Sequence, residues 1–273
     1  MTSDLHCHTK MSDGSTGIED VISIAKRSGI GCVSITDHDT MAGCVRAQRL
    51  GERYGVKVIH GVELSAFDYK NNKKVHILAY LTKKPDRLEG LCKRVSDARK
   101  KAAAAMIKNV VRFFPVTPEQ ILRCASGSTN IFKQHIMHAI MDAGYAVSIY
   151  GDQYDKLFSP EKGSCLVEPE YPDVSEMIAC IRDAGGVAIL AHPAIYCNDL
   201  LVPDLIEMGL AGIEVWHPRH TTEDTARYTA MCKENQLLMT GGSDFHGMYS
   251  KTPVQIGSYF TPGTNLAELV SYL

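Results

Sequence analysis

The chain has 273 residues, of which 45% are hydrophobic, so it is long enough for one large domain or for one domain that carries an insertion. The net charge is −2 with the eleven histidines counted as neutral, which argues against a bulk basic surface for long nucleic acids or acidic membranes. The nine cysteines are scattered singly without a CxxC pair, which favours reduced thiols over a disulfide framework or a zinc knuckle.

The distribution of apolar residues indicates the cellular location of the protein. The N-terminus has charged and metal-binding residue types where a signal peptide needs an apolar run, and no apolar stretch approaches the roughly 20 residues of a membrane span. We therefore expect a cytoplasmic protein that does not associate with membranes. The sequence leaves its oligomeric state open.

The first 85 residues alternate between strand and helix patterns. Thr40 is predicted to cap the second helix, and Gly29 and Gly55 to end the first and second helices. Glu63 is expected just past the third strand. After a short N-terminal strand, we predict helices over 18–28 and 40–54 and strands over 32–36, 56–62 and 75–81.

From Pro85 onward the pattern becomes helical. Since residues 86–165 lack strand alternation, we predict that they form a small helical cap, with 1–85 and 166–273 as the barrel domain. Within the cap we predict helices over 86–113, 118–124 and 131–143, then a loop over 151–171. After it we predict helices over 174–183, 200–208, 222–235 and 265–272 and strands over 187–191, 212–215, 237–240 and 254–256.

Histidines and carboxylates recur at the ends of these strands. His6 and His8 are two residues apart in an extended segment, so they share one face, and Asp13 follows after a turn. In a βα barrel the strand ends meet at one face, which predicts a metal cluster there. Only His76 lies nearer the start of its strand. The predicted ligands are His6, His8, Asp13, His38, Glu63, His76, His192, Asp244 and His246.

Each of these residues has an ordinary alternative when it is taken singly. His38 and its neighbours suit a helix N-cap, Glu63 a surface charge, and His76 a hydrogen-bonded core histidine. The His6/His8 pair alone is weak evidence for a metal. The recurrence at nearly every strand end, with six of the eleven histidines, favours the metal site.

Six short motifs run through the chain in order. They are His6-Cys7-His8 with Ser12-Asp13-Gly14, Thr36-Asp37-His38-Asp39, Gly61-Val62-Glu63, His76-Ile77-Leu78-Ala79-Tyr80, Ala191-His192-Pro193 and Gly242-Ser243-Asp244-Phe245-His246. Together they resemble the PHP family, the metal-dependent phosphoesterases named after polymerase and histidinol phosphatase. The resemblance implies an α/β fold, a distorted (β/α)7 barrel with a small helical insertion, and a cluster of two or three metal ions.

The resemblance also implies how the metals are shared. It places one ion among His6, His8, Glu63 and Asp244, a second among Glu63, His76 and His192, and a third among Asp13, His38 and His246. Mixed imidazole and carboxylate ligands favour Mn²⁺, with Fe²⁺ or Zn²⁺ as alternatives, over Mg²⁺. The reaction expected is attack of a metal-bound hydroxide on phosphorus. The catalytic candidates are Asp13, Glu63, His192 and Asp244.

The sequence is most similar to the free-standing branch of the family that acts on nucleotides and carries a helical insertion. The Arg-Pro-His motif of that insertion corresponds here to Lys133-Gln134-His135, so a lysine replaces the arginine. An ammonium group makes a point-charge contact where guanidinium makes a bidentate one, which leaves the substrate open. The candidates for substrate binding are Lys133, His135, Arg219 and His220.

The function predicted is hydrolysis of a phosphomonoester of a small nucleotide, such as a nucleoside 3′,5′-bisphosphate. One alternative is a 5′-to-3′ exonuclease or phosphodiesterase acting on short oligonucleotides such as short RNA. Another is a phosphatase of the histidinol-phosphate type. A non-catalytic PHP module is disfavoured because every ligand position is filled. Either His217 or His220 is a candidate for protonating the leaving group.

Overall fold

The computed structural model describes residues 2–272 and contains a sheet of seven strands in which neighbours in the chain are also neighbours in the sheet. The strands are β1 (Ser3–Cys7), β2 (Cys32–Ile35), β3 (Lys57–Asp68), β4 (Lys73–Tyr80), β5 (Val187–Leu190), β6 (Gly212–Trp216) and β7 (Leu238–Gly241). Strands β1 to β3 are parallel, as are β5 to β7, whereas β4 runs antiparallel to both of its neighbours.

The two edges of the sheet approach each other. Cys7 at the end of β1 forms a parallel bridge with Phe245, and the His8 amide donates to the Phe245 carbonyl at 2.9 Å. A Cβ on Gly242 would lie 2.4 Å from the Cβ of His6, so only glycine permits this approach. The sheet is therefore nearly closed, which confirms the predicted barrel.

Eleven α-helices surround the sheet within residues 2–272. None of them combines the length and apolar character needed to cross a membrane. They are α1 (Ile18–Arg27), α2 (Cys44–Tyr54), α3 (Asp86–Val110), α4 (Pro118–Cys124), α5 (Lys133–Asp142), α6 (Asp152–Phe158), α7 (Val174–Asp183), α8 (Pro193–Tyr196), α9 (Val202–Met208), α10 (Thr222–Asn235) and α11 (Gly263–Val270).

Helix α1 illustrates how the pattern of apolar residues places these helices. Its buried side chains are Ile18, Val21, Ile22 and Ala25, spaced so that they share the face against the sheet. Burial of each larger aliphatic side chain contributes about 1.5–3 kcal/mol. The helix ends before Gly29, which has a φ of 72° that glycine adopts readily.

Helices α3 to α6 form the segment between β4 and α7. The second half of α3 packs with the other three helices in a core that includes Met106, Ile136 and Phe158. The first half of α3 contributes Leu88 and Leu91 to the core of the barrel. Helix α3 thus joins both cores, and the division into a barrel domain and an 86–165 cap stays a prediction.

Three predicted elements are wrong. Helix α2 begins at Cys44 rather than after Thr40, because the Thr40 hydroxyl accepts from the Ala42 amide in a turn that precedes the helix. The 151–171 loop contains α6, whose Phe158 is buried in the apolar core between the helices. The 254–256 strand is irregular chain: Ile256 packs on α1, and the next amide, of Gly257, donates to Asp4 at 2.7 Å.

The predicted position of Glu63 is also wrong, because β3 continues through this residue to Asp68. The extension pairs with the antiparallel β4, placing Glu63 opposite Leu78 and Ser65 opposite His76. On its other side the Glu63 amide donates to the Thr36 carbonyl at 3.1 Å and its carbonyl accepts from the Asp39 amide at 2.9 Å. Glu63 therefore projects from a strand held on both sides, which restricts its carboxylate more than a loop would.

Candidate metal centre

The predicted ligands meet at one edge of the barrel, and the direction of β4 explains the position of His76. Because β4 is antiparallel to β3 and β5, its start lies at the edge where the parallel strands end. The His76 Nδ1 atom accordingly lies 2.7 Å from Glu63 Oε1. The apparent exception in the sequence, a histidine near the start of a strand, thus follows from strand direction.

Four side chains direct their donor atoms to one point: His6, His8, Glu63 and Asp244. The His6 and His8 Nε2 atoms are 3.1 Å apart, and each lies 3.1–3.4 Å from Glu63 Oε2 and Asp244 Oδ1. Four atoms about 3.3 Å apart are each about 2.0 Å from their common centre, a normal length for a bond between a metal and nitrogen or oxygen. The spacing therefore fits a metal ion.

The carboxylate of Glu63 faces two groups of histidines. While Oε2 faces the first group, Oε1 lies 2.7 Å from His76 Nδ1 and 2.8 Å from His192 Nε2. His38 approaches from the side of Oε2, with its Nδ1 at 3.4 Å. Because its two oxygens face both groups of histidines, Glu63 is the central acceptor of the cluster. Its side chain is 1% exposed.

A third set of donors lies on the other side of His8 and consists of Asp13, His38 and His246 with His8 itself. The Asp13 carboxylate is 3.2 Å from His246 Nε2, 3.6 Å from His8 Nδ1 and 3.9 Å from His38 Nε2. The rings of His8 and His246 stack with centroids 4.1 Å apart. All nine predicted ligands are thus brought together.

The carboxylates of the cluster are held in their charged form. Burial opposes ionisation of Glu63, but the charges of His38 and His76 outweigh it and hold the pKa of this carboxyl well below its usual range. Burial also opposes ionisation of Asp13, whose pKa is lowered well below normal by His246 and His38. The negative charge that a cation needs is therefore present at neutral pH.

Two histidines show the opposite shift. Burial alone would lower the pKa of His8, but the Asp244 and Glu63 carboxylates raise it to about 10. His6 is likewise raised well above its usual pKa, despite burial, by Glu214 and Glu63. In the metal-free protein these carboxylates therefore favour protonation of the imidazoles, and a divalent cation competes with those protons for the ring nitrogens.

Several buried ring nitrogens have no hydrogen-bond partner within the described part of the chain. They are the Nδ1 atoms of His8, His38 and His192 within the cluster and the Nε2 atom of His220 behind it. A buried polar atom is normally paired, so three such atoms in one cluster indicate a missing ligand. Together with the carboxylate and imidazole donors, they fit divalent metal ions of the Mn²⁺, Fe²⁺ and Zn²⁺ type.

The loop that carries Asp13 is fixed from both sides. Asp37 accepts three hydrogen bonds of 2.7 Å, from the amide and hydroxyl of Thr9 and from the hydroxyl of Ser12. A Cβ on Gly14 would lie 2.7 Å from the carbonyl carbon of His8, so the turn requires glycine. The Ser-Asp-Gly motif thus positions a carboxylate by its flanking residues.

Glu214 contacts two of the predicted ligands and was missed by the sequence reasoning. Its side chain is buried in β6, where Oε1 accepts from His6 Nδ1 at 2.9 Å and Oε2 accepts from the His192 amide at 2.9 Å. The contact orients the His6 ring and leaves Nε2 free for a metal. The signal in the sequence is a glutamate between Ile213 and Val215 in an apolar strand.

Arg99 of α3 was missed as well. Its Nε donates to Asp39 at 2.9 Å and one terminal nitrogen donates to the Ser65 hydroxyl at 2.7 Å. The guanidinium lies over the rings of Phe132 and Tyr171, 4.9 and 5.3 Å from their centroids. In the sequence Arg99 precedes two lysines on a polar helix and carries no distinguishing signal.

Backbone strain accompanies the cluster. His192, Asp244 and Asp39 all have positive φ values, of 28°, 48° and 54°. Residues other than glycine adopt this region rarely, at a cost of about 1–3 kcal/mol each, and they persist where surrounding contacts hold them. Strain at two predicted ligands and beside a third supports a functional role for this edge of the barrel.

A cavity of about 400 Å³ opens above the cluster, and α5 and α6 form one of its walls. Cationic side chains of Lys74, Lys133, Arg219 and Lys251 line it. A smaller cavity of about 170 Å³ adjoins it and includes Arg99. Aromatic side chains also line the larger cavity: Tyr150, Tyr154, Phe158, Tyr196 and Tyr249.

Two lysines of this cavity share one carboxylate. The ammonium nitrogens of Lys74 and Lys133 lie 2.7 and 3.7 Å from Glu168 Oε1. Burial lowers the pKa of Lys133, although Glu168 opposes the shift. One carboxylate balances only one of the two ammonium charges, so this side of the cavity attracts anions.

The residues predicted to bind substrate divide into two pairs. Lys133 and Arg219 line the cavity. His135 is buried within the helical segment, where its Nδ1 accepts from the Phe132 amide at 3.1 Å. The Nδ1 of His220 donates to the Val215 carbonyl at 3.0 Å. The structure therefore brings Lys133 and Arg219 to the site and places the two histidines away from it.

Of the two candidates for the proton donor, His217 lies at the metal centre and His220 lies behind it. His217 is 1% exposed, and its Nε2 lies 3.2 Å from Asp244 Oδ2. His220 lies behind it, with ring centroids 5.2 Å apart, and packs against Tyr228. Of the two, only His217 contacts a predicted metal ligand.

A barrel that gathers imidazoles and carboxylates beneath a basic cavity defines a metal-dependent hydrolase of anionic esters. The family model of the PHP domain matches residues 4–140, half of the chain. A relative from Eggerthella lenta, named phosphoribosyl 1,2-cyclic phosphate 1,2-diphosphodiesterase, is 37% identical over 255 residues, which cover 93% of this chain and 97% of the relative.

Two further proteins are similar over nearly the whole chain. A 3′,5′-nucleoside bisphosphate phosphatase from Chromobacterium violaceum is 26% identical over 89% of this chain and 86% of its own. A solved structure from Bifidobacterium adolescentis, which its description assigns to the metal-dependent phosphoesterases, superposes with a TM-score of 0.90 at 28% identity, covering 99% of this chain and 96% of the other.

The chain belongs to the PHP family. This confirms the family resemblance, the barrel fold and the prediction of a metal-dependent phosphoesterase.

Proposed function

We propose that the nine predicted ligands bind two or three divalent ions, with Mn²⁺ preferred and Fe²⁺ or Zn²⁺ as alternatives. The support is the way Glu63 divides its oxygens. Its Oε2 faces His6 and His8, and its Oε1 faces His76 and His192. The residues that would hold the ions are His6, His8, Asp13, His38, Glu63, His76, His192, Asp244 and His246.

Bound divalent ions would supply Lewis acidity and lower the pKa of coordinated water. The protein residues orient the substrate around that centre. Lys133 and Arg219 bind phosphate oxygens, and His217, held by Asp244, faces the centre as the candidate proton donor. Tyr154 and Tyr196 offer apolar ring surface and limit the access of water.

The substrate that we propose is a small ribose derivative with two phosphate groups, one of which is hydrolysed. The observation that carries this proposal is the unbalanced pair Lys74 and Lys133, which lies beside the metal centre and suits a second phosphate. A cavity of about 400 Å³ lies in the size range of small-molecule sites.

Two reactions fit such a substrate. The first is removal of a monoester phosphate from a nucleoside 3′,5′-bisphosphate, as the name of the Chromobacterium violaceum relative indicates for that protein. The second is hydrolysis of a cyclic phosphodiester on a phosphorylated ribose, which the 37% identity to the Eggerthella lenta protein favours. Short RNA remains a further alternative, and a cavity of about 400 Å³ favours the smaller substrates.

The test is a direct comparison of substrates with the Mn²⁺-loaded protein. Phosphate release or ring opening would be measured for adenosine 3′,5′-bisphosphate, phosphoribosyl 1,2-cyclic phosphate, histidinol phosphate and short 5′-phosphorylated RNA. We expect kcat/KM to be highest for one of the two ribose substrates that carry a second phosphate. A higher value for histidinol phosphate or RNA would contradict the proposed substrate class, and no turnover of any substrate would contradict the catalytic function.

A further inference from the structure

A second group of metal-binding residue types lies on the outer side of the helical segment. Cys124 is the last residue of α4, whereas His138 and Asp142 are both on α5. Because His138 and Asp142 are four residues apart, they lie on one face of their helix. None of the three belongs to the cluster at the barrel edge.

The donor atoms of this group are close together. His138 Nε2 lies 3.5 Å from Asp142 Oδ1, and Cys124 Sγ lies 3.9 Å from Asp142 Oδ2. One nitrogen, one sulfur and one oxygen of the three side chains are mutually within 4.8 Å. Since bonds from zinc are about 2.0 Å to nitrogen or oxygen and about 2.3 Å to sulfur, a modest contraction would bring all three into a first coordination shell.

The hydrogen bond on the other side of His138 is an independent indication. His138 Nδ1 lies 2.7 Å from the hydroxyl oxygen of Tyr249. With the proton on Nδ1 donated to this oxygen, Nε2 presents its lone pair toward Cys124 and Asp142. Metal-binding histidines are typically held in this way, by a hydrogen bond from the ring nitrogen that does not bind the metal.

We propose that Cys124, His138 and Asp142 form a separate site for a divalent ion, with Zn²⁺ as the best match. Thiolate, imidazole and carboxylate are all zinc ligands, and the thiol proton passes to solvent when the ion binds. The Asp142 side chain is 66% exposed and that of His138 is 26% exposed, so the ion enters from solvent, and water completes the coordination.

The site has a structural connection to the metal centre. Tyr249, the partner of His138, also lines the cavity above the barrel edge and follows the predicted ligand His246 by three residues. Zinc on His138 therefore restrains one wall of that cavity through a single hydrogen bond.

The two sites are distinguishable by their ligands. The proposed ligands at the barrel edge are nitrogen and oxygen atoms, whereas Cys124 supplies a sulfur. Co²⁺ bound to thiolate has an intense near-ultraviolet charge-transfer band that Co²⁺ bound to nitrogen and oxygen lacks. Metal-free protein would be titrated with Co²⁺, comparing wild type, Cys124→Ser and the control Cys197→Ser. Cys124 is partly buried and Cys197 is exposed, and both are free thiols.

We expect the band in wild type and in Cys197→Ser and its loss in Cys124→Ser. Absence of the band from wild type, or its persistence in Cys124→Ser, would overturn the proposal. Because the readout is spectroscopic, it is independent of the proposed function of the barrel edge.

A second variant tests the role of Tyr249. In Tyr249→Phe the hydrogen bond to His138 is lost, and we expect the affinity for Co²⁺ measured from the same band to fall about 10- to 100-fold. Unchanged affinity would contradict the assigned orientation of His138. Circular dichroism would establish that each variant is folded.

Discussion

The barrel edge and the helical wall of the cavity place their charges in different ways. At the barrel edge Glu63 and His8 are almost completely buried, and each is surrounded by partners of opposite charge. On the helical wall Lys133 is partly exposed and shares Glu168 with Lys74. The first arrangement is suited to holding ions in one geometry, and the second to admitting and releasing an anion. In the proposed function the metal ligands thus come from the barrel edge alone, whereas the helical wall contributes Lys133 to substrate binding.

The comparison predicts the largest loss of activity at the barrel edge. Replacing Asp244 by Asn removes a carboxylate that faces both His6 and His8. We expect kcat/KM to fall about a thousand-fold or more, because several kcal/mol of charge stabilisation by the metal are lost. Steady-state kinetics with Mn²⁺ would measure this, with the exposed Asp20→Asn as the matched control. Activity within ten-fold of wild type would refute the assignment of Asp244.

We expect Glu214 to affect the affinity for the metal rather than for the substrate. In Glu214→Gln the His6 ring loses its charged acceptor, and we expect metal affinity to fall about 10- to 100-fold. Excess Mn²⁺ should restore most of kcat, whereas Glu234→Gln at an exposed position should behave as wild type. A loss of kcat that saturating metal leaves unchanged would mean that Glu214 acts in some other way. Calorimetric titration of the metal-free protein measures the affinity.

A smaller effect is expected on the helical wall. Lys133→Ala should raise KM about 10- to 100-fold, the range for loss of one charge-assisted hydrogen bond, with little change in kcat. Lys108→Ala, at an exposed position of α3, serves as the control. If kcat falls and KM stays constant, then Lys133 acts on the reaction itself, and the separation of chemistry from substrate binding fails.

The smallest effect is expected on the pH dependence of the stability of the metal-free protein. The pKa of His8 is about 10 in the folded state and 6.5 as an ordinary histidine, so its contribution to stability is fully present below pH 6.5 and is lost as the pH rises toward 10. Thermal unfolding in a chelator should therefore show a falling midpoint over this range, and His8→Gln should flatten the curve. With Mn²⁺ bound the dependence should weaken, because the ion replaces the proton. A rising midpoint without metal would contradict the charge arrangement.

The barrel edge was predictable because its residues follow strands whose pattern is local. His6, His8 and His192 occur at the ends of predicted strands, and a barrel brings such ends together. The antiparallel direction of β4 was not readable, since a strand pattern has no direction, so His76 seemed misplaced. Glu214 was overlooked because a single glutamate in a strand has several ordinary explanations.

The helical wall was less predictable for a physical reason. Residues on helices meet according to packing between elements that are distant in sequence, and periodicity alone does not specify that packing. Arg99 reaches Asp39 and Ser65 from a polar helix face that looks like any other. His135 matches the family motif in sequence, yet its side chain accepts a hydrogen bond from the Phe132 amide at the start of α5 and does not reach the cavity.

The length of α3 has a geometric consequence. Strand β4 ends at the barrel edge opposite the metal centre, so the chain must return along the outside of the barrel before it can build the cavity wall. The 25 residues of α3 span about 38 Å, and Arg99 fastens the helix to Asp39 on the way. The length of the helix therefore sets the distance between the helical wall of the cavity and the metal centre. Adding or removing one turn beyond Arg99 would move the helical wall by about 5.4 Å while leaving the metal centre in place.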